Sequence, residues 1–399
     1  MSVVIPRRRF WLGVLLPLLM AGCSSRTAEY SYTARKEVSE LPALHQQEIQ
    51  THLVRYFGTP IDPRLMLPTD KQDDKGQTVL EPRLERLYLK RGVQVYLREC
   101  VACHGATGDG LGEAANYLNP PPRDYRKGVF KFASTPQGTR PRREDLRRVI
   151  RRGAKGTSMP SFRWISQEDL EAVIDYVVLL SQRGQVELKL IQESEQELDE
   201  KDSYDPKTVA KMVSNVYHEW DTAADTLVQP LTPMPKMTAE TVKHGAELFG
   251  EMNCIQCHGK DGGGRRDFDA GKDAWGRVAF AADLRSGLLH GGRRPVDIYR
   301  RIYSGITPMP SSATPNSAKN ETAEQRSEKI WHLVHFITSV VEGTPFPAEV
   351  VEAAFLKSQA ELQTPPPETS PETPKSETPP ETPKTETTPD APPPKEPDS

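Results

Sequence analysis

A chain of 399 residues exceeds the single domain of about 100–200 residues that is the usual unit, so two folded units with extensions are expected. The formal net charge of −3 gives no overall bias toward nucleic acid or an anionic membrane, and no nucleic-acid partner is expected. Many of the 36 prolines crowd into the last stretch, so they describe a tail and not a core.

At the start, Arg7, Arg8 and Arg9 precede an apolar run from Phe10 to Met20. That run is shorter than the roughly 20 residues of a membrane-spanning helix, and residues 1–22 read as an export signal. It closes in Leu19-Met20-Ala21-Gly22-Cys23, which is similar to a lipobox, with Met20 where Leu is usual. Cleavage there leaves Cys23 as a lipid-carrying N-terminus facing the periplasm; an uncleaved signal anchor is the alternative. Residues 23–83 form the lipid anchor and a polar extension. Within it Ile49, Leu53 and Phe57 fall on one face of a helix that stops at Gly58.

From residue 84 the sequence repeats itself. The first copy, 84–181, has Gly92 and Tyr96 before Cys100, then Asp124-Tyr125, Asp145-Leu146 through Ile150 and Gly153, and Met159-Pro160. The second, 238–345, has Gly245 and Phe249 before Cys254, then Asp283-Leu284, Asp297-Ile298 through Ile302 and Gly305, and Met309-Pro310. Each copy closes with an apolar helix pattern. In the first, Ser166 and Asp169 suggest a capping box ahead of Leu170, Val173, Ile174 and Val177. In the second the pattern is Ile330, Leu333, Val334 and Ile337. Residues 182–237 read as a linker with one helix near Val209 to Trp220. Residues 346–399 read as a mostly disordered tail, almost entirely Pro, Glu, Thr, Ser and Lys from Thr364 onward.

The five cysteines are Cys23 and two CxxC pairs, each followed directly by His: Cys100/Cys103/His104 and Cys254/Cys257/His258. A CxxCH motif sets two thiols one helical turn apart, so both can form thioethers with the vinyl groups of one haem while His meets the iron. Two covalently bound haem c groups are therefore expected. A four-cysteine zinc site would leave both histidines unexplained, and a thioredoxin-like pair would follow a strand, not a helix.

The sixth ligand follows by elimination. Between His104 and the end of its domain stand one methionine, Met159, and no histidine. In the second copy Met309 is the only methionine after the motif, but His290, His332 and His335 compete with it. His332 and His335 fall in the closing helix and read as packing or surface residues, which leaves His290 as the rival. Both methionines precede proline, which favours an extended loop that presents a side chain.

Gly92, Val95 and Tyr96 leading into Cys100, Cys103 and His104 resemble the class I cytochrome c family. The resemblance implies a mainly α fold of two tandem class I cytochrome c domains, in which Gly92 and Gly245 let Tyr176 and Phe336 of the closing helices pack across them. Gly108 to Gly112, Leu118 to Asp124 and Gly156 to Phe162 are similar to bacterial cytochromes associated with terminal oxidases. The second copy departs more: it lacks the Pro-rich stretch and carries extra residues at 311–328.

Met/His ligation fills both axial positions, so such a haem passes electrons without binding substrate. The expected function is a dihaem electron carrier, not an enzyme, with a respiratory complex or oxidase as redox partner and a membrane held through the lipid anchor. The alternatives are the cytochrome subunit of a periplasmic dehydrogenase and a dihaem peroxidase, which needs a vacant axial position. A basic run of Arg142, Arg143, Arg147, Arg148, Arg151, Arg152 and Lys155 is either a docking face for an acidic partner or a solvated surface.

Overall fold

The structure, a computed structural model, describes residues 32 to 363 apart from 75, 77 and 85; the export signal, Cys23 and residues 364–399 lie outside the described residues. Backbone contacts divide the chain into Met1–Ser358, which contains both repeats, and Gln359–Ser399. Of the latter, residues 359–363 are described and are helical.

The extension forms α1 (Ala43–Phe57), whose face of Ile49, Leu53 and Phe57 is buried and which ends at Gly58 in the left-handed region (φ 70°). A hairpin follows, with β1 (Met66–Gln72) antiparallel to β2 (Thr78–Pro82) and Leu67 opposite Glu81. The first copy then supplies α2 (Arg86–Glu99), α3 (Val101–His104), α4 (Arg143–Arg152) and α5 (Gln167–Gln196). After α6 (Pro206–Asp221), the second copy supplies α7 (Ala239–Glu251), α8 (Ile255–His258), α9 (Pro295–Ser304) and α10 (Ala323–Val341), and α11 (Ala348–Gln363) follows. The fold is mainly α, and among the described residues the hairpin is the only sheet.

In each copy the first helix crosses the last at a glycine. A Cβ on Gly92 would collide with the Ala172 carbonyl oxygen and lie 3.0 Å from Tyr176 Cβ. A Cβ on Gly245 would collide with the His332 carbonyl oxygen and lie 2.8 Å from Phe336 Cβ. The rings then meet edge to face, Tyr96 on Tyr176 at 5.3 Å and Phe249 on Phe336 at 5.4 Å between centroids. Aromatic pairs favour this geometry because the positive edge of one ring meets the negative face of the other.

Three expectations are corrected. Residues 182–221 are not a free linker: α5 runs on to Gln196 and α6 packs Val209, Val213, Val216 and Trp220 into the core of the first domain. The continuation of α5 buries two charges, Arg183 and Glu187, 3.9 Å apart, and Glu187 also meets Arg35 of the extension at 3.6 Å. Residues 348–363 are helical, with Val351 and Ala354 buried, so the tail composition begins only after α11. Ser166 does cap α5 by accepting from the Asp169 N–H, but the Asp169 carboxylate binds Arg91 Nε at 2.7 Å and does not accept from the Ser166 backbone N–H.

Candidate haem sites

Both CxxCH segments form the same short helix. The His104 N–H donates to the Cys100 carbonyl at 2.9 Å, and the His258 N–H to that of Cys254 at 3.0 Å. Each helix ends at a left-handed glycine, Gly105 (φ 74°) or Gly259 (φ 75°). Beyond it the loops repeat bond for bond. Gly110 N–H and Gly264 N–H reach the His104 and His258 carbonyls at 3.0 and 2.9 Å. Tyr125 N–H and Leu284 N–H reach Gly108 and Gly262 at 3.0 and 2.9 Å.

The loops also set the imidazoles. His258 Nδ1 stands 3.2 Å from the Ala282 carbonyl, an acceptor that requires the proton on Nδ1 and leaves Nε2 with a free lone pair. At His104 the corresponding backbone group is that of Arg123, and Nδ1 is buried without a full hydrogen bond. Burial lowers the pKa of both histidines, opposed in part by these backbone groups, which favours the neutral imidazole that a metal needs. The same burial pushes the Cys100 and Cys254 thiols up to about 12.

The two methionine loops match as well. Helices α4 and α9 end at left-handed Gly153 and Gly305, where a Cβ would lie 2.6 Å from the carbonyl oxygen of Met159 or Met309. Those carbonyls accept from Ala154 N–H at 3.2 Å and Ile306 N–H at 2.9 Å. Two residues on, Ser161 Oγ donates to the Arg151 carbonyl at 2.7 Å and Ser311 Oγ to that of Tyr303 at 2.6 Å, tying each loop to the last turn of its helix. Met159 and Cys100 pack against the first core, Met309 and Cys254 against the second. Each half thus gathers two thiols, one oriented imidazole and one thioether, a donor set that fits a covalently attached haem.

The competing histidines have contacts of their own. His290 Nδ1 donates to the Lys155 carbonyl of the first domain at 2.6 Å, and its ring stacks on Phe132. His332 pairs with His244 at 2.8 Å between Nδ1 atoms, and His335, buried, bonds Thr241 Oγ1 at 3.0 Å. Among the described residues no three His, Cys, Asp or Glu side chains gather as a metal site, so the four cysteines do not form a zinc centre. The basic run at α4 is paired in part: Arg143 and Arg147 bind Glu171 at 2.9 and 2.6 Å, Arg148 binds Asp145 at 2.9 Å, and Arg142 meets Glu144 at 3.3 Å.

The sequence reading missed the turn at residues 273–277, which crosses to the first domain. Trp275 Nε1 donates to the Asp124 carbonyl, and Asp273 pairs with Arg123 at 2.9 Å and Lys131 at 3.0 Å. The available signal was length: the second copy spends more residues between His258 and Asp283 than the first does between His104 and Asp124.

Residues 88–177 match the family described as "Cytochrome C oxidase, cbb3-type, subunit III", and residues 242–340 match "Cytochrome c". With two such segments, each folded around a glycine helix crossing and a CxxCH turn, the chain belongs to the class I c-type cytochromes as a tandem of two domains. It is a haem-binding, electron-transfer protein. Among solved structures it is similar to a chain of the "Kuenenia stuttgartiensis reducing HAO-like protein complex", at 26% identity and a TM-score of 0.44 over 63% of this chain and 96% of that one. None of the curated proteins compared with the chain matches it.

Proposed function

We propose that the chain is a dihaem cytochrome c that relays electrons in a respiratory chain at the outer face of a membrane, toward a terminal oxidase. Cys100 and Cys103 attach one haem and Cys254 and Cys257 the other. His104 with Met159, and His258 with Met309, are the axial pairs, and Cys23 carries the lipid anchor. The observation that carries the reading is the duplicated constellation: a CxxCH turn closed by a left-handed glycine and, packed on the same core, a Met-Pro loop whose carbonyl sits against a second left-handed glycine. Among the described residues no helix is long and apolar enough to cross a membrane, and a lipid on Cys23 would supply the attachment.

Each haem, when bound, supplies an iron that cycles between ferric and ferrous states. The chain's residues set the conditions for that cycle. Buried His104 and His258 stay neutral and present one nitrogen lone pair each. With haem bound, the serine-tied loops would present Met159 and Met309 as its second protein ligands, and a histidine–methionine pair would favour a higher potential than two histidines.

Haem content and an anaerobic redox titration, followed by optical and paramagnetic resonance spectra, test this. Two covalent haems per chain, both low-spin and six-coordinate, and no peroxide turnover are expected. Met309→Ala should alter only one haem. A second haem that kept its ligand field in that variant would remove Met309 as ligand, and peroxide turnover at a high-spin haem would make the chain a peroxidase. Cys23→Ser should release the protein from membranes.

A further inference from the structure

Among the contacts that cross from the second domain to the first, two fall on the segments that flank the first haem's proposed axial ligands. On the methionine side, His290 holds the Lys155 carbonyl at 2.6 Å, and its ring lies nearly parallel to Phe132 with centroids 6.2 Å apart. Lys155 belongs to a closed turn. The Ala154 carbonyl accepts from the Thr157 N–H at 3.0 Å, and the Ala154 N–H donates to the Met159 carbonyl at 3.2 Å. Gly156 makes the approach possible, since a Cβ there would lie 2.9 Å from His290 Cε1.

On the histidine side, Trp275 Nε1 donates to the Asp124 carbonyl, one residue from Arg123, whose backbone faces His104. The indole is fixed from both directions. The Arg123 guanidinium lies 4.8 Å from its ring centroid, and Asp273 accepts from the backbone N–H groups of Trp275 and Arg277 at 3.0 and 3.1 Å. Asp273 is itself only 6% exposed, and it binds Arg123 and Lys131 of the first domain. In the reverse direction the first domain also reaches the second methionine loop: Gln137 bonds Thr307, Arg148 meets Asp297 of α9 at 3.6 Å, and Phe132 lies 5.8 Å from the Arg301 guanidinium, which donates to the Gly305 carbonyl at 3.0 Å.

We propose that His290 and Trp275 are positioning residues for the first haem, supplied by the second domain: His290 restrains the loop that presents Met159, and Trp275 restrains the backbone that orients His104. The inference rests on the assignment of His104 and Met159 as axial ligands. Groups that orient axial ligands tune the metal although they do not touch it. The properties of the first haem therefore depend on its neighbour being docked, because both segments that present its ligands carry a restraint from across the boundary.

The test uses the full-length holoprotein, with the first haem's signals identified by their change in Met159→Ala. His290→Ala should lower the potential of the first haem and weaken the red charge-transfer band of its methionine-ligated ferric form. Both should recover in His290→Gln, which keeps an N–H donor. Trp275→Phe, which keeps the ring and loses the donor, should shift the same potential. The second haem should remain at its wild-type potential throughout. If both variants carry two haems and the first haem's potential and band match wild type, or if both haems shift together, the cross-domain role is overturned. Absence of a covalent haem at either site in the wild-type protein, or a Met159→Ala variant with unchanged spectra, overturns the ligand assignment instead and takes the inference with it.

Discussion

The two haem domains share a backbone and differ in the rings that fill it. In the first, Tyr125 covers the turn at Gly108, where a Cβ would collide with the ring. In the second, the same turn at Gly262 is covered by Phe346, which a Cβ would approach to 2.5 Å. Tyr125 comes from the loop after the haem motif, whereas Phe346 comes from beyond the closing helix α10. The chain path that delivers the ring has changed and the volume has not, because a close-packed interior cannot leave it empty. The chemistry has changed too. Tyr96 donates its hydroxyl to the Gly105 carbonyl at 2.8 Å and accepts from Tyr125, while Phe249, Phe336 and Phe346 meet only ring to ring, at 5.4 to 5.8 Å. The first domain ties its haem turn with hydroxyls; the second relies on shape.

The largest effect is expected from emptying the shared volume. Tyr125→Ala removes a buried ring and should destabilise the first domain by about 3–5 kcal/mol. Chemical denaturation followed separately at each haem checks this, and the second haem's transition should hardly move. Next come the crossings. Gly92→Ala and Gly245→Ala each drive a methyl into a backbone carbonyl, which cannot rotate away as a side chain could, so each should cost about 3 kcal/mol in its own domain. Equal losses would sharpen the equivalence of the two halves. A tolerated Gly245→Ala would break it.

Asp273 belongs to the second copy alone, and its removal probes what the extra residues of that loop contribute. Burial raises its pKa, but the hydrogen bond from Lys131 and those from the Arg277 and Trp275 backbones outweigh burial and hold it below the ordinary carboxylate value. A carboxylate with a lowered folded-state pKa contributes stability that is fully present above its unfolded pKa and is lost as pH falls through the folded one. Asp273→Asn should therefore cost about 1–3 kcal/mol at neutral pH and flatten the acid limb of the stability curve. An acid limb identical to wild type would show that this turn does not hold the domains together.

What was legible in the sequence is what chemistry or steric closeness fixes to particular residues. The CxxCH turns and the Met-Pro loops could be read because few residues can fill those roles at those spacings, and the pairing of Gly92 and Gly245 with Tyr176 and Phe336 came with the family resemblance. Three parts could not be read in this way. Arg183 and Glu187 interrupt the apolar pattern of α5, and only the folded chain shows that they neutralise each other beside Arg35, so α5 was cut short at residue 181. The turn at 273–277 is polar and reads as solvent-facing, because its partners Arg123, Asp124 and Lys131 stand about 150 residues away in sequence. His290 was read as a rival ligand since a histidine in a glycine-rich loop carries no sign of which domain it faces; its bond to Lys155 supplies that sign.

The smallest effect is the most diagnostic of the hydroxyl difference. Tyr96→Phe strands the Tyr125 hydroxyl and the Gly105 carbonyl inside the first domain and should cost about 1–2 kcal/mol, since an unpaired buried polar group loses its hydration without compensation. Tyr125→Phe leaves the bond from Tyr96 to Gly105 intact and should cost less, about 1 kcal/mol. The double variant, which gives the first domain the purely aromatic filling of the second, removes the stranded hydroxyl as well. Its loss should match that of Tyr96→Phe alone and fall short of the sum, a coupling that a double-mutant cycle measures directly. Additive losses would mean that the two tyrosines act independently, and the hydroxyl pair would then not be what ties the first haem turn to its core.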